Sequence, residues 1–223
     1  MSSPQPQPQT QDPPREPMFK IPWPALVLIV GMIGAYAMQS RVPDESDLIY
    51  RYALIPAALT PDSVSSLMTS LFLHGSWAHV LMNAGLGLAF AAAVSRHFGT
   101  SLKGVLGFFI FYLACGVVSG LGFALIHTGS GVPVIGASGA VSGLMGAGIR
   151  LMGLQAYGSR ALAPLNNRQV MGLTLGYTVI NLVIAVLAFI PFLGGVSIAW
   201  EAHLIGYAFG LLTFPLWSQA FSR

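Results

Sequence analysis

Six stretches of this chain run for about 20 residues each, the length that crosses a bilayer as a helix. They cover residues 21–38, 77–94, 102–126, 138–155, 170–192 and 198–217, and none holds more than one Asp, Glu, Lys or Arg. A single span in a soluble chain is a local oddity; six of them leave little sequence for anything else. They predict an all-α polytopic membrane protein with six transmembrane helices. Composition agrees. Only 8% of the residues are charged, against about 25% in a soluble domain, so the chain lacks the polar side chains to cover itself in water. The lipid bilayer is its expected solvent. Basic residues are scattered rather than clustered, which argues against nucleic acid as a partner. Cys115 is the single cysteine, so no intrachain disulfide exists, and its apolar setting reads as packing.

Residues 1–19 are rich in Pro, Gln and Ser, with no periodicity and little to bury. They read as a disordered cytoplasmic tail rather than a signal peptide, since no short apolar core opens the chain. Residues 20–218 then form the six-helix body and 219–223 a short second tail. Orientation follows the excess of Lys and Arg on the cytoplasmic side. Arg15, Lys20, Arg96, Lys103, Arg150, Arg160, Arg168 and Arg223 fall on one side. Only Arg41 and Arg51 fall on the other, in a first loop that also carries Asp44, Glu45, Asp47 and Asp62. Both termini are therefore expected in the cytoplasm.

Polar side chains inside a membrane are costly, and each is a functional suspect. The second, fourth and sixth spans run inward from the extracytoplasmic face. His79 and Asn83 lie near the start of the second, Ser138 opens the fourth, and His203 lies about a turn into the sixth. All four thus share one depth. His79 and Asn83 are four apart and share a helix face. Small residues recur every four positions as Gly139, Gly143 and Ala147 on one helix and Ala202, Gly206 and Gly210 on another. Such stripes let helices approach closely, which would bring the Ser138 hydroxyl to the His203 imidazole as a nucleophile–base pair. The unpaired Ser138 N–H at a helix start, the Asn83 amide and the His79 imidazole would supply donors to an oxyanion. Gly136 and Gly139 would leave room for a substrate carbonyl.

Each residue also has a bland reading. Ser138 alone would be a helix N-cap, and Ser142 a packing residue or a bond back to the carbonyl one turn earlier. His203 alone would be a structural donor and Asn83 an interhelical bridge. His74 reads as structural, His97 and His127 as interfacial. Glu201 is two residues from His203 and so faces elsewhere. The coincidence of nucleophile, base and donors at one depth favours chemistry over the bland set.

Three motifs then carry a resemblance. "GASG" at Gly136–Gly139, "AHLIGYAFG" at Ala202–Gly210 and "HGSWAHVLMN" at His74–Asn83 resemble, in order, the G-x-S-G, A-H-x-x-G-x-x-x-G and H-x-x-x-x-H-x-x-x-N motifs of the rhomboid intramembrane serine proteases. The resemblance covers about residues 60 to 212. It implies a six-helix fold around a water-accessible cavity. It implies a Ser138–His203 dyad without an acid, and an oxyanion held by the Ser138 N–H, Asn83 and His79. Its substrates would be the transmembrane segments of other proteins, cut near the extracytoplasmic surface, with no metal and no cofactor. A bacterial inner (plasma) membrane is the expected location.

Three departures stand out. Many members have an aromatic residue stacked on the catalytic histidine four positions after the nucleophile; here Ser142 takes that place, so the His203 ring needs another orienter. Ser65-Ser66 replaces the Trp-Arg that many members carry in the first loop. The inner end of the second span lacks the acidic residue that some have. The competing reading is a non-catalytic rhomboid-like protein that binds transmembrane clients, a class marked by loss of Ser138 or His203, and both are present. A transporter or channel would carry polar residues on through the cytoplasmic half or show repeat symmetry; the cytoplasmic halves of the second, fourth and sixth spans hold no set comparable to His79, Asn83, Ser138 and His203, and no repeat is evident.

Overall fold

The computed structural model describes residues 21–152, 162–188 and 198–222. The expected tail over 1–19, the far ends of the fourth and fifth apolar stretches and Arg160 lie outside the described residues. Within them eight α-helices follow in order: α1 (Trp23–Gln39), α2 (Glu45–Tyr52), α3 (Ser66–Thr69), α4 (Trp77–Phe98), α5 (Leu102–Ile126), α6 (Ser138–Met152), α7 (Arg168–Ala188) and α8 (Trp200–Phe221). No strand forms among the described residues, only one isolated β-bridge between Leu54 and Val134. The helices α4, α5, α7 and α8 are each long and apolar enough to cross a bilayer. The apolar helix α1 is shorter, with 17 residues, and 15 residues of α6 fall within the described part of the chain.

Each of the six apolar stretches holds a helix among the described residues, and the third coincides with α5. Helix ends that differ from the ends of apolarity have a reason visible at α4. Apolarity fades at Val94, but the helix runs on through Ser95, Arg96 and His97 until Gly99 turns to φ +83° and ends it. Hydropathy marks where lipid lies; caps mark where a helix stops. Ser101 then caps α5 by accepting the Gly104 N–H at 3.2 Å, and Asn167 caps α7 by accepting the N–H groups of Gln169 and Val170.

The first loop is more ordered than its sequence suggests. Asp44 caps α2 by accepting the Asp47 N–H at 2.9 Å. At the place of the missing Trp-Arg pair lie Ser65 and α3, and the Thr69 hydroxyl donates to the Tyr52 carbonyl at 2.7 Å. Leu54 and Val134 exchange two backbone hydrogen bonds, and the Ala57 N–H donates to the Ser130 carbonyl. This clamps the first loop to the segment that leads into α6.

That helix is the centre of the fold. Gly139–Leu144 and Gly146–Arg150 are buried, enclosed by α4, α5 and α8. A helix covered on all sides belongs to an interior. Its closest neighbour is α8, and the two glycine stripes set the spacing. A Cβ added at Gly206 would lie 2.9 Å from the Gly139 carbonyl carbon, and one at Gly210 would lie 2.6 Å from that of Gly143. No side chain fits at either position. At the far end of α6, buried Arg150 donates to the carbonyls of Ala163 and Leu211. By contrast α7 touches little beyond α6 and α8, and leaves Leu175, Ile180, Val183 and Val186 exposed, the faces that a bilayer would cover.

Candidate active site

The helix start of α4 places the first two groups. The Ser76 hydroxyl accepts the His79 N–H at 3.1 Å and caps the helix, so His79 sits in its first turn and Asn83 one turn deeper on the same face. The Gly75 N–H donates to His79 Nδ1 at 3.4 Å, which leaves the ring proton on Nε2. Behind them His74 is fully buried and meets the His79 ring edge-on at 5.1 Å. Its backbone is held by Gln39 from α1, which donates to the His74 carbonyl at 2.6 Å and accepts its N–H at 3.0 Å. Burial, and then the neighbouring His79, lowers the His74 pKa to about 4, so this ring is neutral, and neither of its nitrogens has a hydrogen-bond partner among the described residues.

Opposite His79 runs the "GASG" turn. The Gly136 N–H donates to the Ser70 carbonyl at 2.9 Å, and φ at Gly136 is +118°. A side chain would be strained there, and its Cβ would lie 2.8 Å from both Cε1 and Nε2 of His79. Next, the Ala137 carbonyl accepts the Val141 N–H at 2.9 Å. The capping position of α6 is thus Ala137, and Ser138 is the first helical residue rather than the cap. Its hydroxyl is free to point sideways, and it lies 2.8 Å from His203 Nε2 on α8. The Asn83 amide nitrogen is buried, has no hydrogen-bond partner among the described residues, and would lie 3.9 Å from a Cβ at Gly136.

So Ser138, His203, His79 and Asn83 converge on one turn, the Gly136–Ser138 segment. Gly139 plays a different part from the one expected of it. A Cβ there would run into the Ser119 side chain of α5, whose hydroxyl donates to the Ala202 carbonyl at 2.7 Å. Its smallness serves helix packing rather than room for a substrate carbonyl. Ser142 donates to the Ser138 carbonyl at 2.7 Å, the back-bond to the previous turn. Glu201 faces away from His203 and pairs with His127 at 3.1 Å. Cys115 is buried.

One neighbour of His203 escaped the sequence reading. Asn181 on α7 is buried, with its Oδ1 3.1 Å from His203 Nδ1 and its Nδ2 donating to the Tyr177 carbonyl at 2.9 Å. The sequence does carry a signal: Asn181 is the one Asn or Gln within the fifth apolar stretch, 170–192. Asn181 lies on an outward-running span, so its depth is not evident from the starts of the three inward-running ones. Contacts from Thr174 to Tyr207 and from Asn181 to His203 make α7 antiparallel to α8, so its later turns reach the same end.

A serine hydroxyl bonded to a histidine between buried helices is the arrangement on which nucleophilic catalysis runs. Among the described residues no group of three or more His, Cys, Asp or Glu is placed to hold a metal ion. The family model of the Rhomboid domain matches residues 61–220, and the chain belongs to the rhomboid family. It is an integral membrane protein. A comparison with curated proteins returned no match.

Proposed function

We propose that this protein is an intramembrane serine endopeptidase that hydrolyses peptide bonds in or near the transmembrane segments of other membrane proteins. The 2.8 Å contact between Ser138 Oγ and His203 Nε2 is the observation that carries this reading. His203 Nε2 takes the Ser138 proton as Oγ attacks the scissile carbonyl. The carbonyl oxygen becomes an oxyanion and accepts hydrogen bonds from the Ser138 N–H, Asn83 Nδ2 and His79 Nε2. His203 then returns the proton to the leaving amine, and water, deprotonated by the same imidazole, releases the acyl-enzyme. The unpaired, buried Asn83 amide supports its part: a buried donor without a partner calls for an explanation, and an oxyanion formed only during the reaction provides one.

The proposal includes the six-span topology, with both termini cytoplasmic and the site near the extracytoplasmic face of a bacterial plasma membrane. Residues 20–218 form the protease body between cytoplasmic tails 1–19 and 219–223. The eight-to-two split of basic residues supports this orientation.

Kinetics of Asn83→Ala separate a protease from a protein that only binds clients. An oxyanion donor is worth about 10²–10³ in kcat. With the Ser138 N–H and His79 still in place, kcat on a transmembrane substrate should fall by about 10²-fold or less, with KM little changed. Because Nδ2 has no hydrogen-bond partner to lose among the described residues, the melting temperature should stay near that of the wild type. Unchanged kcat with a lowered melting temperature would return Asn83 to a structural role.

A further inference from the structure

The imidazole of His203 can act as a base toward Ser138 only if the proton of the neutral ring sits on Nδ1 and the lone pair on Nε2. We propose that Asn181 is the positioning residue that enforces this tautomer, making α7 a working part of the catalytic centre. The inference rests on the Ser138–His203 reading and adds to it the group that orients the base.

The argument is one of donors and acceptors. A backbone carbonyl can only accept. The Tyr177 carbonyl lies 2.9 Å from one end of the Asn181 amide, so that end is the NH₂ group. The other end is then the oxygen, and it faces His203 Nδ1 at 3.1 Å. An oxygen there accepts, so Nδ1 must donate. Nε2 is left as the acceptor, 2.8 Å from the Ser138 hydroxyl. The opposite tautomer sets two lone pairs against each other across the Asn181 contact. Flipping the amide only moves that clash to the Tyr177 carbonyl. Either way a buried hydrogen bond is lost.

The nearest alternative orienters are already occupied. The Ser142 hydroxyl donates to the Ser138 carbonyl and accepts from Tyr177 Oη at 2.7 Å. Glu201 is paired with His127. Thr174, Tyr177 and Asn181 recur at helical spacing and form a polar seam. Thr174 bonds the Tyr207 hydroxyl at 2.8 Å, and Tyr177 stacks on Tyr207 at 4.2 Å. This seam docks α7 on α6 and α8 in the register that puts the amide at His203. The helix leaves most of its remaining surface exposed, so docking along the seam and orientation of the base are one event.

The test uses full-length protein in detergent, with kcat, KM and melting temperature for Asn181→Ala, Asn181→Asp and Ser138→Ala on a transmembrane substrate. Asn181→Ala should lose about 10- to 100-fold in kcat, less than the 10²–10⁴ that a general base supplies, with KM little changed. Asn181→Asp keeps an acceptor toward Nδ1 but sets its second oxygen against the Tyr177 carbonyl, so it should restore part of the rate. The tautomer itself is read on the wild type by nitrogen NMR of ¹⁵N-histidine-labelled protein, with His203 assigned from His203→Gln. The neutral ring should carry its proton on Nδ1. Wild-type kcat in Asn181→Ala, equal losses in the Ala and Asp variants, or a His203 protonated on Nε2 would each overturn the proposal. Full cleavage by Ser138→Ala would instead overturn the dyad reading on which it rests. An inactive Ser138→Ala beside a fully active Asn181→Ala would overturn the role of Asn181 alone.

Discussion

Ser138→Ala should cut turnover by about 10⁶-fold, the scale on which serine proteases lose activity when the nucleophile is removed. It should do so without unfolding the protein. Among the described residues the hydroxyl makes one hydrogen bond, to His203, worth about 1 kcal/mol to stability. It does not cap α6, since the Ala137 carbonyl starts that helix. The back-bond from Ser142 goes to the Ser138 backbone and survives the substitution. A melting temperature near that of the wild type with no measurable cleavage is therefore the expected pair of results. Loss of both together would mean the serine is structural, and retained cleavage would mean the nucleophile lies elsewhere.

The second large effect is expected from Gly206, which touches no reacting group. A side chain at this position meets the Gly139 backbone, and backbone cannot rotate aside as a side chain can. Forcing extra atoms into a packed interior costs typically 1–3 kcal/mol and sometimes more. With backbone on both sides, Gly206→Val should cost about 3 kcal/mol or more, a large share of the 5–15 kcal/mol that holds a domain together. Gly206→Ala should be milder for folding yet still severe for function. It pushes α8 from α6 one turn below the Ser138–His203 contact, and a misplacement of about 1 Å can cost 10²-fold. Thermal unfolding in detergent, with kcat for the alanine variant, checks both. A Gly206→Val protein that melts and cleaves like the wild type would contradict the tight α6–α8 packing.

The sequence made the helices legible because lipid demands long apolar runs, and such runs are hard to hide. It made the α6–α8 contact legible because only small residues at four-residue spacing allow it. Ser138, His203, His79 and Asn83 stood out because polar groups are rare in such helices, and the structure brings all four to one turn. What escaped lay where the governing contacts are long-range. Asn181 shows only as the one amide within the apolar stretch 170–192, and nothing local says which histidine it faces. The order in the first loop depends on Leu54 meeting Val134, a pairing between residues far apart in the chain. Gly139 belonged to a motif that suggested space for substrate, while the side chain that fills that space, Ser119, sits on another helix. Ser138 looked like a cap because serine so often is one; which residue starts a helix is decided by backbone geometry that composition does not carry.

The central claim, that Ser138 is a nucleophile activated by His203, is tested most directly by a serine-reactive phosphonate followed by peptide mapping in a mass spectrometer. Wild-type protein should carry one covalent adduct, located on Ser138; His203→Ala should label much more slowly, and Ser138→Ala not at all. An adduct that persists on Ser138→Ala, or one mapped to another residue of the wild type, would contradict it.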